Sequence, residues 1–369
     1  MSAGTFFKTF NSSDRTTTRT LLHEAIPITG SLIEGTYNST THSDGISRKQ
    51  NIKTYSHAIF QSVYDYPHLS SSANHIFDIT CGINDSTLSA KTAANTANAA
   101  LAAKKLNIYK QMAQVLSGYD TSGNVRAFDV NGDFSETGDE KIENAIFINF
   151  SRLLVKDEIK KGSFSMTVGQ NTTYGTALAS ADFRTINDGN AATNYKVNSP
   201  AGEFGLLYDQ DSTTKPVGLI YYQAGIVVLN AGREAEKTDY TSFAWDATNW
   251  TSATVDLDDA FETKTINEVA DGLRRRIHKI SFNNTTELNS TIYFCRASHN
   301  EFNYSSNPTY LDGSKIRVKN NNVLSPPRAY VTTIGLYSAD NELLATAKLS
   351  EPLKKDPTNE LTLRVRLDY

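Results

Sequence analysis

Alternation limits this fold more than any other feature. In LTLRVRLDY, residues 361–369, Leu361, Leu363, Val365, Leu367 and Tyr369 fall on one side of an extended chain, and Thr362, Arg364, Arg366 and Asp368 on the other. Successive side chains of a β-strand point to opposite faces, so this segment offers one face to a core and one to solvent or a partner. The chain reaches Tyr369 inside the pattern. A strand at the edge of a sheet presents unpaired N–H and C=O groups, and the expectation is that a neighbouring subunit completes this one.

The same signal recurs upstream. AIFINFSRLLV, SFSMTVG, FGLLYD, VGLIYYQ and GIVVLN are short apolar runs separated by turn-forming Gly, Asn, Asp and Pro. FGLLYD and VGLIYYQ flank QDSTTKP, and AG separates VGLIYYQ from GIVVLN, which predicts hairpins. Further strands are expected at Ile277 to Phe282 and Leu288 to Ala297. YVTTIGLY and LLATAKL flank the turn SADNE and predict another hairpin.

Two segments depart from alternation. Ser86 to Ser117 is rich in Ala, follows Asp85 and stops at Gly118, which predicts a long helix with Leu101, Ile108, Met112 and Val115 on one stripe. Thr265 to Arg276 predicts a second helix: Thr265 and Glu268 have capping-box spacing, and Arg274, Arg275 and Arg276 suit the negative end of the helix dipole. Ahead of both, residues 1–82 are polar and irregular. There Phe6, Phe7 and Phe10 form an extended arm able to fill apolar pockets of this chain or a neighbour.

The expected class is α+β, mainly antiparallel β. Residues 1–120 form an N-terminal arm and helical region built around the long Ala-rich helix. Residues 121–369 form a β-sandwich-like domain with an acidic insertion around 232–260 that carries Trp245 and Trp250. At 369 residues, two domains of ordinary size fit.

With 36 basic and 40 acidic residues the net charge is -4, so no global excess draws the chain to a nucleic-acid backbone. No run approaches the ~18 apolar residues of a membrane span, and the N-terminus lacks the apolar core of a signal peptide. Neither stable membrane insertion nor secretion is expected. Cys81 and Cys295 each lie in an apolar run outside any metal-ligand spacing and read as small buried hydrophobes.

One segment has metal-like spacing. In DVNGDFSETGDE, Asp129, Asn131, Asp133 and Glu140 stand where an EF-hand-type loop places oxygens, but Phe134 holds the position that calls for Gly. The preferred reading is a polar turn, with calcium as the alternative. His23-Glu24 lacks a second histidine at zinc spacing, and Asp258-Asp259 lie in an acidic loop. No nucleophile elbow or phosphate loop occurs, so no enzyme activity and no cofactor are expected.

HNEFNYSSNPTY (299–310), YVTTIGLYSADNELLATAKLSEPLKK (330–355) and ELTLRVRLDY (360–369) resemble the C-terminal part of virion structural proteins of contractile-tailed bacteriophages, particularly cyanophage-like myoviruses. DEIKKGSFSMTVG and KPVGLIYYQAGIVVLN resemble other pieces of the same proteins. The resemblance implies a non-enzymatic subunit of the tail, in the baseplate or its connection to tube or fibres. It would be assembled in the host cytoplasm, in many copies, with other tail and baseplate subunits as partners. A neck or head-associated position is the alternative within that class. A carbohydrate- or receptor-binding module is the alternative outside it, since aromatics among Asn and Ser suit sugar faces and hydroxyls. The assembly contacts expected are Phe6, Phe7 and Phe10 in the arm, Phe302, Tyr304 and Tyr310 in the Asn-rich loop, and Arg364 and Arg366 on the last strand.

Overall fold

The computed structural model describes residues 7–29, 51–84, 96–135, 141–169, 183–210, 212–231, 250, 255, 257–305, 307, 310–312, 315–316, 324 and 327–369. Its strands are β1 (Arg15–Thr29), β2 (Ile52–Thr54), β3 (Gln61–Tyr64), β4 (His75–Ile83), β5 (Asn144–Phe150), β6 (Glu158–Ile159), β7 (Ser165–Gly169), β8 (Phe183–Asn187) and β9 (Lys196–Ser199). They continue with β10 (Gly202–Asp209), β11 (Ser212–Tyr221), β12 (Ile226–Asn230), β13 (Ile277–Ala297), β14 (Leu311–Asp312), β15 (Lys315–Ile316), β16 (Ala329–Tyr337), β17 (Leu343–Lys355) and β18 (Leu361–Asp368). The helices are α1 (Thr96–Leu116), α2 (Arg152–Val155), α3 (Leu257–Thr263) and α4 (Ile266–Arg276). The chain divides into a central unit, Leu22–Thr286, and a terminal unit made of Met1–Leu21 with Glu287–Tyr369.

The central unit is an antiparallel sheet in the order β13, β7, β8, β10, β11, β12, β5, β4, β3, β2, with β13 contributing its first part. The expected hairpins are present: Phe204 pairs with Tyr221, and Tyr221 with Ile226. AIFINF is apolar on both faces except at the half-buried Asn149, because both faces of β5 are covered. On one face Phe147 lies 6.4 Å from Tyr109 of α1 and 5.6 Å from Phe128. On the other, Phe150 lies 5.9 Å from Phe77, 6.1 Å from Phe164 and 5.1 Å from Phe282. Phe164 and Phe282 belong to the β7–β13 end of the order, far along the sheet from β5. The sheet therefore curls so that β4 and β5 share a core with its β7–β13 end.

The helix α1 seats itself on β4 at Gly82, where an added Cβ would lie 2.8 Å from the Tyr109 Cβ and backbone nitrogen. Tyr109 then bridges inward. Its hydroxyl donates to Ile142 O at 2.6 Å and accepts from Phe128 N at 3.0 Å. Burial pushes that phenol above the ordinary tyrosine range.

The expected fold class needs correction. Among the described residues strand outweighs helix by 50% to 17%, and no helical N-terminal region there stands apart from a C-terminal sandwich. The early strands β2 to β4 instead join the same sheet as β5 to β12. The long Ala-rich helix expected to organise that region is not its organising element: α1 runs from Thr96 to Leu116 among strands, and residues 85–95 lie outside the described residues. Its buried positions are Lys105, Ile108, Tyr109, Ala113 and Leu116, whereas Val115 is 63% exposed. The strand expected through Ser151–Val155 is the helical turn α2. The two strands expected between Ile277 and Ala297 are one, β13.

The capping box of α4 forms as its spacing predicts: Thr265 N donates to Glu268 Oε2 at 2.8 Å, and Glu268 N to Thr265 Oγ1 at 3.3 Å. At its other end Arg274 and Arg276 turn inward. Arg274 pairs with Asp271, and the Arg276 guanidinium lies 4.4 Å from the Trp250 ring centroid. Trp250 is a buried anchor, while Trp245 falls outside the described residues.

The terminal unit is built differently. The second part of β13 lies between β1 and β18, β16 pairs with β17 alone, and β14 with β15 alone. Leu336 is the one hydrophobic side chain of this unit buried among the described residues. Every member of the hydrophobic core cluster falls between Ile28 and Phe282, in the central unit.

Candidate functional site

The strand β18 runs antiparallel to β13 with Ser290 opposite Asp368 and Ala297 opposite Leu361. Just beyond its end, Asn289 and Tyr369 exchange both backbone bonds, N to O at 3.0 Å and 2.8 Å. Bonded and non-bonded pairs alternate along an antiparallel ladder. Leu361, Leu363, Val365, Leu367 and Tyr369 therefore bond to β13. The N–H and C=O groups of Thr362, Arg364, Arg366 and Asp368 point to the opposite edge, where no strand pairs among the described residues.

The faces divide as the sequence implies from Leu361 to Asp368, whereas Tyr369, expected on the apolar row, is 65% exposed. Leu361, Leu363, Val365 and Leu367 are half-buried beside Tyr293, Cys295 and Ala297, and Thr362, Arg364, Arg366 and Asp368 are exposed. Arg366 Nε donates to Ser290 Oγ at 2.9 Å and to Asp368 Oδ1 at 2.8 Å. Within the terminal unit the apolar face is covered in part by the arm: the Phe10 ring lies 5.3 Å from Tyr293. Phe7 is 67% exposed, and Phe6 lies outside the described residues.

The Asn-rich loop is held from below by a buried lysine that sequence reading missed. Lys355 Nζ donates to Asn303 Oδ1 at 2.6 Å, Asp356 O at 3.0 Å and His299 O at 3.3 Å. Glu301 accepts from Ser298 N at 3.1 Å and pairs with Lys8 at 2.7 Å. Pinned this way, Phe302 adopts a left-handed φ of 53°, a conformation that a non-glycine residue holds only when its surroundings impose it. Phe302 and Tyr304 are half-buried. The Tyr310 hydroxyl donates to Arg328 O and accepts from Arg328 N at 3.0 Å, so it ties the loop internally. Among the described residues, the arm, the loop aromatics and the two arginines do not form one cluster of direct contacts.

In the metal-like segment, the cation beside Asp129 is a lysine. Lys141 Nζ pairs with Asp129 Oδ2 at 2.7 Å and also donates to Ser135 O at 2.5 Å. Asn131 N, Asp133 N and Ser135 N donate to the side chains two residues back, a run of Asx turns. Phe134 makes the turn with a φ of 56° and packs 5.5 Å from Phe204. Glu140 lies outside the described residues. Desolvation raises the Asp129 carboxyl above its ordinary value, opposed by Lys141.

Two other clusters bear on chemistry. Asp78 Oδ1 accepts from Ser62 Oγ and lies 2.8 Å from His75 Nε2, which puts the carboxylate between hydroxyl and imidazole. A serine nucleophile needs the imidazole in the middle, so this trio has the wrong order. Burial pushes the Cys81 thiol up to about 12, and Cys295 is raised for the same reason. Neither is poised as a thiolate.

No protein-family model matches the chain, no curated protein is significantly similar to it, and no solved structure matches it.

Proposed function

We propose that the chain is a non-enzymatic structural subunit of a contractile-tailed phage virion, in the baseplate or its connection to tube or fibres, acting through protein–protein contacts. The observation that carries this reading is a terminal unit of regular strands whose described residues include a single buried hydrophobic side chain, Leu336. A unit of roughly 100 residues loses on the order of 100–200 kcal/mol of conformational entropy on folding, and burial of one leucine returns only ~2 kcal/mol. Its half-buried rows on β13 and β18 offset part of that cost. Among the described residues the β16–β17 hairpin pairs with no further strand, and it exposes Tyr330, Tyr337, Leu343 and Leu344. Two-stranded hairpins are marginal alone. Surface of this kind is completed by neighbours in an assembly, and the segments that resemble tail proteins lie largely in this unit.

The test is mass spectrometry of gradient-purified particles together with immunogold labelling, using an antibody against the loop from Asn300 to Tyr310. Peptides of this chain in the particles and label at the distal tail are expected. Label at the head–tail junction would replace the baseplate by the neck. Absence from purified particles, with the antibody active on the denatured protein, would overturn the virion reading.

A further inference from the structure

We infer that the open edge of β18 is completed by β18 of a second copy of this chain, paired antiparallel about a two-fold axis at Arg366. The inference rests on the assembly reading in that it supplies one of the neighbours which that reading requires.

The edge itself restricts the choices. Only Thr362, Arg364, Arg366 and Asp368 direct backbone groups outward, so two copies can pair only through these residues, and the possible registers differ by steps of two. Centring the axis on Arg366 sets Arg364 of each copy opposite Asp368 of the other. Opposite charges directly across a strand pair attract, and like charges repel. The two Arg366 side chains then face each other, but each keeps its own Asp368 within 2.8 Å. Among the described residues Arg364 has no carboxylate partner, so its charge is available. Moving the axis one step toward the N-terminus sets Arg364 against Arg366 twice. The next step sets Arg364 against Arg364 and brings no carboxylate opposite any arginine. A step toward the C-terminus sets Asp368 against Arg366, already its partner within the chain, and takes it away from Arg364.

The other face supports the same register. With the axis at Arg366, Leu363 stands opposite Tyr369 of the second copy and Val365 opposite Leu367, so the half-buried row doubles into one apolar face across both chains. Tyr369, 65% exposed in one chain, gains an aliphatic neighbour there. Such a two-fold contact is self-complementary, the commonest form of homo-oligomer interface.

The experiment is sedimentation equilibrium of the full chain over a concentration series, with Arg364→Asp, Asp368→Arg and the double variant. The wild type is expected to dimerise. Each single substitution sets like charges opposite each other twice and is expected to weaken the dimer at least tenfold, and the double variant to restore it. A wild type that stays monomeric throughout overturns the inference, as does a double variant no tighter than the singles. Circular dichroism showing the same strand signal in all four proteins excludes misfolding as the cause. A monomeric chain that still enters particles would defeat this pairing and leave the virion reading standing. A dimer absent from particles would do the reverse.

Discussion

Replacing Lys105 by alanine is expected to destabilise the central unit by about 3–5 kcal/mol. Lys105 is fully buried on α1, and its Nζ donates to Lys264 O at 2.7 Å, to Ala260 O at 3.3 Å and to Phe261 O. Those carbonyls lie at the end of α3, where the last carbonyls of a helix lack intrahelical donors; Ala260 O also accepts from Lys264 N at 3.0 Å. One ammonium thus closes α3 and ties it to α1. Alanine leaves the carbonyls buried without that donor and adds a cavity. Urea unfolding monitored by circular dichroism checks the cost, and a loss below ~1 kcal/mol would contradict it.

The same residue carries a pH signature. Burial holds the Lys105 ammonium below the usual lysine range. Between that lowered value and the ordinary value of about 10.4, the unfolded chain binds more protons than the folded one. Stability from this group therefore rises with pH across that window, and the alanine variant lacks the slope. The difference between wild type and variant should grow as pH rises through that window. A flat difference would show that the lysine is not desolvated.

Trp250→Ala is expected to cost about 3–5 kcal/mol in the same unit. Trp250 is fully buried, and its Nε1 donates to Val269 O at 3.2 Å. The indole rests on α4 at Gly272, where a Cβ would come within 2.4 Å of Nε1, and Arg276 covers the ring. Gly272→Ala should therefore displace the indole and be costly in the wild type, yet nearly neutral once Trp250 is alanine. Unfolding free energies of the two single variants and the double variant measure that coupling. Additive losses would mean that the indole does not rest on Gly272.

Legibility of the fold follows the range of the forces involved. The faces of β18, the two hairpins from Gly202 to Asn230 and the Thr265 capping box depend on neighbours a few residues away, and alternation or spacing displays them directly. The curl that brings Phe150 to Phe282 depends on pairing between distant strands, and nothing local at either residue announces it. The helix α1 fell between these cases. Its Ala-rich composition was visible, but its seat depends on Gly82, and Val115 looked as suited to the stripe as Leu116. Lys105 left a trace that could have been read: it stands four residues after Leu101 and three before Ile108, a charged side chain on an apolar stripe. Lys355 left none, because its partners are placed by the loop that it anchors. The Asp129 segment shows oxygen spacing without the cation's identity, since Lys141 lies just past the twelve-residue window. Open edges are a property of sheet order, so Arg364 and Arg366 could be placed on an outer face from sequence, but not on an unpaired edge.

Hydrogen exchange by mass spectrometry across a concentration series tests the central claim most directly, because it reads the two units separately in one molecule. If the terminal unit obtains its core by association, amides of Ile146 to Phe150 and Leu219 to Val228 stay protected at every concentration. Those of Ser290 to Ala297 and Thr362 to Asp368 exchange rapidly when dilute and become protected as the chains associate. Protection of the terminal unit equal to that of the central unit in the most dilute sample would contradict the account.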